Sequence, residues 1–378
     1  MVPLAAAEKT GDFSFTAMRM RALVLGAPDD GSGMGRLDLV DLPVPTPGPT
    51  DVLVRVALCG ICGTDVDACR FHADNTSTFG GPLSLPVVLG HEASGEVVST
   101  GELVTRVRSG DLVALESVLT CGICDTCLRG RRNQCERVVL AGLTAPGALA
   151  EYVIVPQTAC HRLEPLCAKG WTPKDALLAG ALLEPLGCVY NALFVEGGGI
   201  RPGEQVTVHG LGPLGLFAGM LCRIAGASRV VGVEPLAGRR EFAERLGFTA
   251  CFDPAECPPD HLDAEVHVEA SGNPARTVPI IEQHLRPGGR CVLVSRTDVP
   301  TRIDTNPWVS NAARLIGSRG HCGAIFPYLL NLFASGQLDP HALVGVVLSL
   351  RDAPEVLSLG FGAAEGKTII DVDWSFRF

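Results

Sequence analysis

Apolar and polar positions change their rhythm twice along the chain. From residue 21 to about 165, short runs of aliphatic and β-branched residues at 21–25, 51–58, 93–99, 111–115 and 150–155 are separated by Gly and Pro. Runs of this length bounded by turn residues predict strands, so the first part of the chain reads as a mainly β domain. Residues 172–196 then carry a long apolar stretch that reads as helix. From 205 the pattern becomes strand, glycine turn, helix, strand, with strands expected at 205–209, 229–234, 264–270 and 290–295 and a helix over 216–226. Repetition of that unit predicts a parallel sheet covered by helices. Beyond 325 a helix is followed by β-type runs at 344–350 and 368–372, placed to rejoin the first domain. Residues 1–17 precede the first convincing strand and are expected to form a disordered extension.

Length and composition narrow the class. A chain of 378 residues suits about two domains, and 47% hydrophobic with 19% charged residues supports well-formed cores. The formal net charge of −10, with no basic block longer than 129–132, excludes nucleic acid as an expected partner. Fifteen cysteines do not imply a disulfide-stapled secreted protein at this size, because such staples serve small domains that cannot build a core. The N-terminal stretch is interrupted by Glu8, Lys9 and Asp12, so no secretory signal is expected, and no run of eighteen apolar residues predicts a membrane span. A reducing cytoplasm is the expected compartment.

Candidate chemistry concentrates in three places. Cys121, Cys124, Cys127 and Cys135 have the spacing of a tetrathiolate zinc lobe, in which two-residue gaps aim successive sulfurs at one ion about 2.3 Å away. A closed shell of four thiolates leaves no position for substrate, so this site is structural; a disulfide cluster or a redox dithiol pair are the other uses of such cysteines. Gly210, Gly212 and Gly215, with Pro213 and Leu214 between the last two, follow an apolar strand and precede a helix. That is the mechanical context of a dinucleotide-binding turn, where the glycines allow a tight turn, backbone approach to a pyrophosphate and close helix packing. Glu234 ends the next strand, where a carboxylate accepts from ribose hydroxyls and repels a 2′-phosphate; this favours NAD over NADP, with Arg239 and Arg240 weighing the other way. Finally, Cys62 and His91 with Glu92 offer a thiolate, an imidazole and a carboxylate, a donor set that suits zinc with an open position.

Taken together, the segments 60–65 and 90–92, the cysteine lobe, Glu184 in Leu-Leu-Glu-Pro-Leu and the glycine turn with Glu234 after it resemble the zinc-dependent medium-chain dehydrogenase/reductase family, nearest its polyol and threonine dehydrogenase branch, over roughly residues 20–375. The resemblance implies an α/β protein: a GroES-like, mainly β catalytic domain over 18–188 and 325–378, its zinc lobe at about 117–138, and a Rossmann doubly wound cofactor domain over 189–324. It implies two zinc ions per chain, NAD in preference to NADP, a small-molecule alcohol or ketone in the cleft, and a homodimer or homotetramer. Cys62 and His91 become ligands of a catalytic zinc. Glu184 stands where alcohol dehydrogenases carry a third-ligand cysteine, binding zinc directly or through water, and Glu92 is the competing oxygen ligand. Asp65 becomes the carboxylate behind His91, an Asx turn being the other use of such a residue. Thr64 takes the hydroxyl-relay position, and Asp67, where classical members have histidine, ends the proton path with water. Residues 70–89 depart from short alcohol-pocket versions and either line a polar substrate site or form a surface loop. The implied reaction interconverts a secondary alcohol, as in a polyol, sugar, cyclitol or amino alcohol, with its ketone by hydride transfer. The rival readings are a ketone or aldehyde reductase using NADPH and a non-catalytic, zinc-stabilised NAD-binding protein.

Overall fold

Strand Asp51–Gly60 organises the first half of the molecule. It runs antiparallel to Glu92–Thr100 on one edge, while its other edge takes Tyr152–Pro156 beside its first half and Lys367–Asp371 beside its end. Its apolar residues are buried on both faces, with Val52, Val54, Val56 and Leu58 all fully enclosed. Leu112–Leu115, Cys160–Arg162 and Val344–Ser349 complete a seven-stranded sheet, and Arg36–Pro43, Arg19–Gly26 and Val87–Val88 form a three-stranded sheet beside it. The computed structural model describes residues 18–29, 33–362 and 364–372; the expected N-terminal extension lies outside them.

The second half forms a six-stranded, all-parallel sheet. In spatial order its strands are Ala250–Phe252, Arg229–Val233, Gln205–His209, Ala264–Glu269, Leu285–Leu293 and Arg314–Gly317. Numbered along the chain that is 3-2-1-4-5-6, the doubly wound order whose reversal between the first and fourth strands opens a crevice at their carboxyl ends. The expected α/β architecture, a mainly β unit and a Rossmann sheet, is the one observed. Two edge strands, Ala250–Phe252 and Arg314–Gly317, are additions to the expected set. Both are short, and at Arg314–Gly317 the side chains are largely exposed, so neither carries a periodic apolar signal.

Helix Pro173–Tyr190, continued as a wider turn over Asn191–Glu196, joins the halves. Thr172 caps it by accepting from the Asp175 N–H at 3.1 Å, and proline at N1 costs no intrahelical bond. By length and composition alone the helix could cross a membrane, but most of that stretch is buried inside the protein. Leu178, Leu182 and Leu186 share one cluster with Val206, Val208 and Phe217 of the parallel-sheet unit and with Phe326 and Phe333 of helix Phe326–Ala334. Truncating a fully buried phenylalanine such as Phe217 to Ala should cost about 3–5 kcal/mol.

Candidate active site

The loop after Asp51–Gly60 and the start of Glu92–Thr100 meet because their strands are paired in register, Gly60 opposite Glu92. Cys62 caps the short helix Gly63–Ala68, and its N–H donates to Asp65 Oδ2 at 2.9 Å. The other oxygen of buried Asp65 lies 3.2 Å from His91 Nδ1, so one carboxylate faces both the cysteine loop and the imidazole. Gly90 precedes His91 at φ +91°, where a Cβ would stand 2.7 Å from the Leu149 nitrogen; no other residue fits there. Burial works against charge on His91, but Asp65 and then Cys62 outweigh it and lift the ring well above its ordinary pKa.

Ligand atoms of Cys62, His91 and Glu92 all lie within 4.8 Å of one another. Glu184 is not one of those three. Its Oε1 accepts from Ser117 Oγ at 2.7 Å and lies 3.4 Å from His321 Nε2, with Cys188 Sγ at 3.8 Å. Glu92 in turn receives Lys367, whose Nζ donates to Glu92 Oε1 at 2.6 Å and to the Ile61 carbonyl at 2.9 Å. A Cβ at Gly60 would fall 2.1 Å from Glu92 Oε2, so that glycine makes room for the carboxylate. The two acids are set apart electrically. Burial pushes Glu92 up even with Lys367 beside it, whereas for Glu184 burial is outweighed by His321, His91 and Ser117, which hold it down to about 2. Burial keeps Cys188 well above the usual thiol value, hence protonated.

Thr64 and Asp67 lie one helical turn apart on Gly63–Ala68 and are half-buried. Burial raises the Asp67 carboxyl, with Arg70 opposing and Asp298 adding to the rise. Residues 70–89 are no free surface loop. Ser77 and Thr78 hydroxyls donate to the Asp67 carbonyl, His72 Nε2 lies 3.1 Å from Asp298 Oδ2, and Arg296 stacks 4.7 Å over Phe79. This segment therefore reaches across to the loop that follows strand Leu285–Leu293.

The glycine turn has the shape a dinucleotide needs. Gly210 has φ +90°, and its Cβ would meet Ser271 Cα at 2.5 Å; a Cβ at Gly215 would lie 1.9 Å from the Gly210 carbonyl. At Gly212 a Cβ would touch nothing, so that backbone faces open space at the head of helix Pro213–Ile224, whose first N–H groups have no side-chain cap. Buried Glu234 accepts from the Leu211 N–H at 2.9 Å and the Leu236 N–H at 3.1 Å, which fixes its carboxylate under the turn. Arg239 is turned to the carbonyls of Ala364 and Gly362, with one nitrogen 3.9 Å from Glu234; Arg240 donates to the carbonyls of Glu234 and Pro235.

In the cysteine lobe the four sulfurs also lie within 4.8 Å of one another. The Sγ separations of 3.5 Å for Cys121 and Cys135 and 3.8 Å for Cys124 and Cys135 are far from the roughly 2.05 Å of a disulfide, and all four thiols are free. The Cys121 and Arg137 N–H groups donate to Cys135 Sγ at 3.4 and 3.3 Å. The Thr126 hydroxyl, then the Cys127 N–H, draws Cys124 down, whereas burial and the neighbouring thiols push Cys127 up.

Four neighbours of the two carboxylates were not legible beforehand: Ser117, Cys188, His321 and Lys367. Ser117 and His321 carry no local motif. Lys367 opens a strand-type run like any surface lysine, yet it is 2% exposed.

The profile of the alcohol dehydrogenase GroES-like domain matches residues 48–165 and that of the zinc-binding dehydrogenase matches 213–335. The chain is 36% identical to scyllo-inosose 3-dehydrogenase of Thermotoga maritima over 329 residues, 82% of each protein. It is 33% identical to L-threonine 3-dehydrogenase of Saccharopolyspora erythraea, over 95% of this chain and all of that one. A structure from Sinorhizobium meliloti 1021 bound to NADP superposes with a TM-score of 0.81 at 28% identity, covering 94% of this chain and 100% of that one. An alcohol dehydrogenase from a Thermus species gives 0.77 at 28%, covering 93% and 99%. The chain belongs to the zinc-dependent medium-chain dehydrogenase/reductase family of alcohol dehydrogenases. It is an oxidoreductase built on a GroES-like unit and a Rossmann unit.

Proposed function

We propose that this enzyme interconverts a secondary alcohol of a polyol, cyclitol or amino alcohol with its ketone, using NAD. The observation that carries the reading is the convergence of Cys62, His91 and Glu92 beside Glu184, where loops from the parallel sheet meet the antiparallel one. A thiolate, an imidazole fixed by Asp65 and a carboxylate suit zinc with a position left open, and the four-cysteine lobe suits a second, closed zinc. When bound, the metal would acidify the alcohol and the nicotinamide would accept its hydride. The protein's part is to hold and deprotonate. Glu184, ionised and fixed by Ser117, is placed to bind a water or substrate hydroxyl next to the metal group. Thr64 would pass the alcohol proton toward the cofactor ribose, and Asp67, whose burial raises its proton affinity, or water would finish the path. The catalytic unit is read as 18–188 with 325–378, and the cofactor unit as 189–324.

NAD is favoured over NADP because Glu234 lies under the turn while Arg239 and Arg240 both donate to main-chain carbonyls. The relatives that act on scyllo-inosose and threonine support a substrate with several polar groups.

The test is reduction of NAD and NADP with a panel of sorbitol, xylitol, myo-inositol, scyllo-inosose and L-threonine, together with metal analysis. Two zinc ions per chain and turnover with NAD on at least one member are expected. Cys62→Ser should lower kcat by at least about 10³-fold while NADH still binds. Near-normal turnover in Cys62→Ser would remove the trio from the chemistry.

A further inference from the structure

His321 reaches Glu184 from the parallel-sheet half of the chain. It follows strand Arg314–Gly317 of the parallel sheet, is fully buried, and sets Nε2 3.3 Å from Ser117 Oγ and 3.4 Å from Glu184 Oε1. Its Nδ1 has no hydrogen-bond partner among the described residues, so beyond its Nε2 contacts and packing on Phe326 at 5.1 Å the placement of the ring depends on the backbone that carries it. That backbone is clamped from the cysteine lobe. Asn133 lies in the short turn Arg132–Gln134 between Cys127 and Cys135 and is 4% exposed. Its Nδ2 donates to the Arg319 carbonyl at 2.8 Å, and its Oδ1 accepts from Cys322 Sγ at 3.5 Å, so one amide grips the loop on both sides of His321. The Gly323 N–H donates to Glu116 Oε2 at 3.1 Å, closing the far end.

The geometry points to Asn133 as a positioning residue: the four-cysteine lobe, through Asn133, holds the 319–323 loop so that His321 keeps Glu184 and Ser117 aligned in the substrate pocket. The lobe thereby does more than stabilise the fold. It sets the pose of an active-site carboxylate contacted from the other unit. The inference rests on the reading of Glu184 as an active-site group.

Asn133→Leu keeps the volume and removes both hydrogen bonds; Asn133→Asp keeps the acceptor for Cys322 and removes only the donor to Arg319, and it serves if the leucine variant does not fold. Each is compared with wild type, His321→Asn and the Asn133/His321 double variant. Hydrogen exchange of the 318–325 peptide should rise about tenfold in the Asn133 variant and stay unchanged in Cys62→Ser. Zinc content should remain that of wild type and NADH affinity within about twofold, while kcat/KM on the best panel substrate falls about 10- to 100-fold. The double variant should be no worse than His321→Asn alone. Unchanged loop exchange, kcat/KM within about twofold of wild type, or a double variant whose losses multiply would each overturn the inference. Raised loop exchange in the Asn133 variants, together with a wild-type protein that turns over nothing on the panel, would instead leave the clamp standing and sink the functional reading beneath it.

Discussion

Arg290 is the sort of residue that only its surroundings explain. It sits in strand Leu285–Leu293 at 4% exposure, and its guanidinium donates to both Glu204 oxygens, at 2.9 and 2.8 Å. Burial pushes the Glu204 carboxyl up, but the Arg290 hydrogen bonds outweigh it and the net shift is downward. A carboxylate held lower in the folded state contributes stability above its unfolded pKa of about 4.3 and loses it as pH falls through the folded value. Glu204→Gln, which leaves a buried guanidinium without its counter-charge, should therefore cost about 3–5 kcal/mol at neutral pH, and the cost should shrink below about pH 4. Urea unfolding of both proteins at several pH values checks this; a pH-independent difference would rule the pair out as an acid-sensitive contact. Neither residue advertises the pair, since 86 positions separate them and each would be unremarked on a surface. Lys367 and Glu92 make the same point beside Cys62 and His91. A glutamate after His91 is legible as a candidate ligand, but the lysine that holds it comes from the far end of the chain.

At the scale of elements, periodicity was a good guide where a segment is buried and long. Strand Gln205–His209 is found over the expected residues because a run with β-branched residues at 206–208, ending in a glycine turn, has few alternatives. The next helix begins at Pro213 rather than 216, since proline starts a helix at no hydrogen-bond cost and the apolar face becomes visible only later. The three glycines do separate mechanical jobs, which yields a test. At Gly215 a methyl group would collide with backbone, but at Gly212 it would enter only the open groove. Gly212→Ala should then melt within about 2 °C of wild type yet bind NADH at least about tenfold more weakly. Fluorescence titration beside a thermal melt reads both; unchanged NADH affinity would move the pyrophosphate away from this turn.

Across the whole molecule, helix Pro173–Tyr190 carries Glu184 while packing into the core shared by both sheets, so the position of the carboxylate is bound to how the two units meet. The cysteine lobe stands apart from that core and needs its own organising force. Replacing Cys124 with Ser should drop bound zinc from two to one per chain and lower the melting temperature, by roughly 2–4 °C for each kcal/mol lost. Metal analysis and calorimetry measure this; retention of both ions would remove Cys124 from the lobe's ligand set. The sequence alone determined the fold class, the dinucleotide turn and the thiol-rich lobe, because each is written in residues close together, where spacing imposes geometry directly. Tertiary structure decided that Glu92 rather than Glu184 groups with Cys62 and His91, and that Lys367, Ser117 and His321 attend the two acids. Those contacts join separate strands and loops from two sheets, and their distances depend on strand register and on how the sheets pack, which no local pattern encodes.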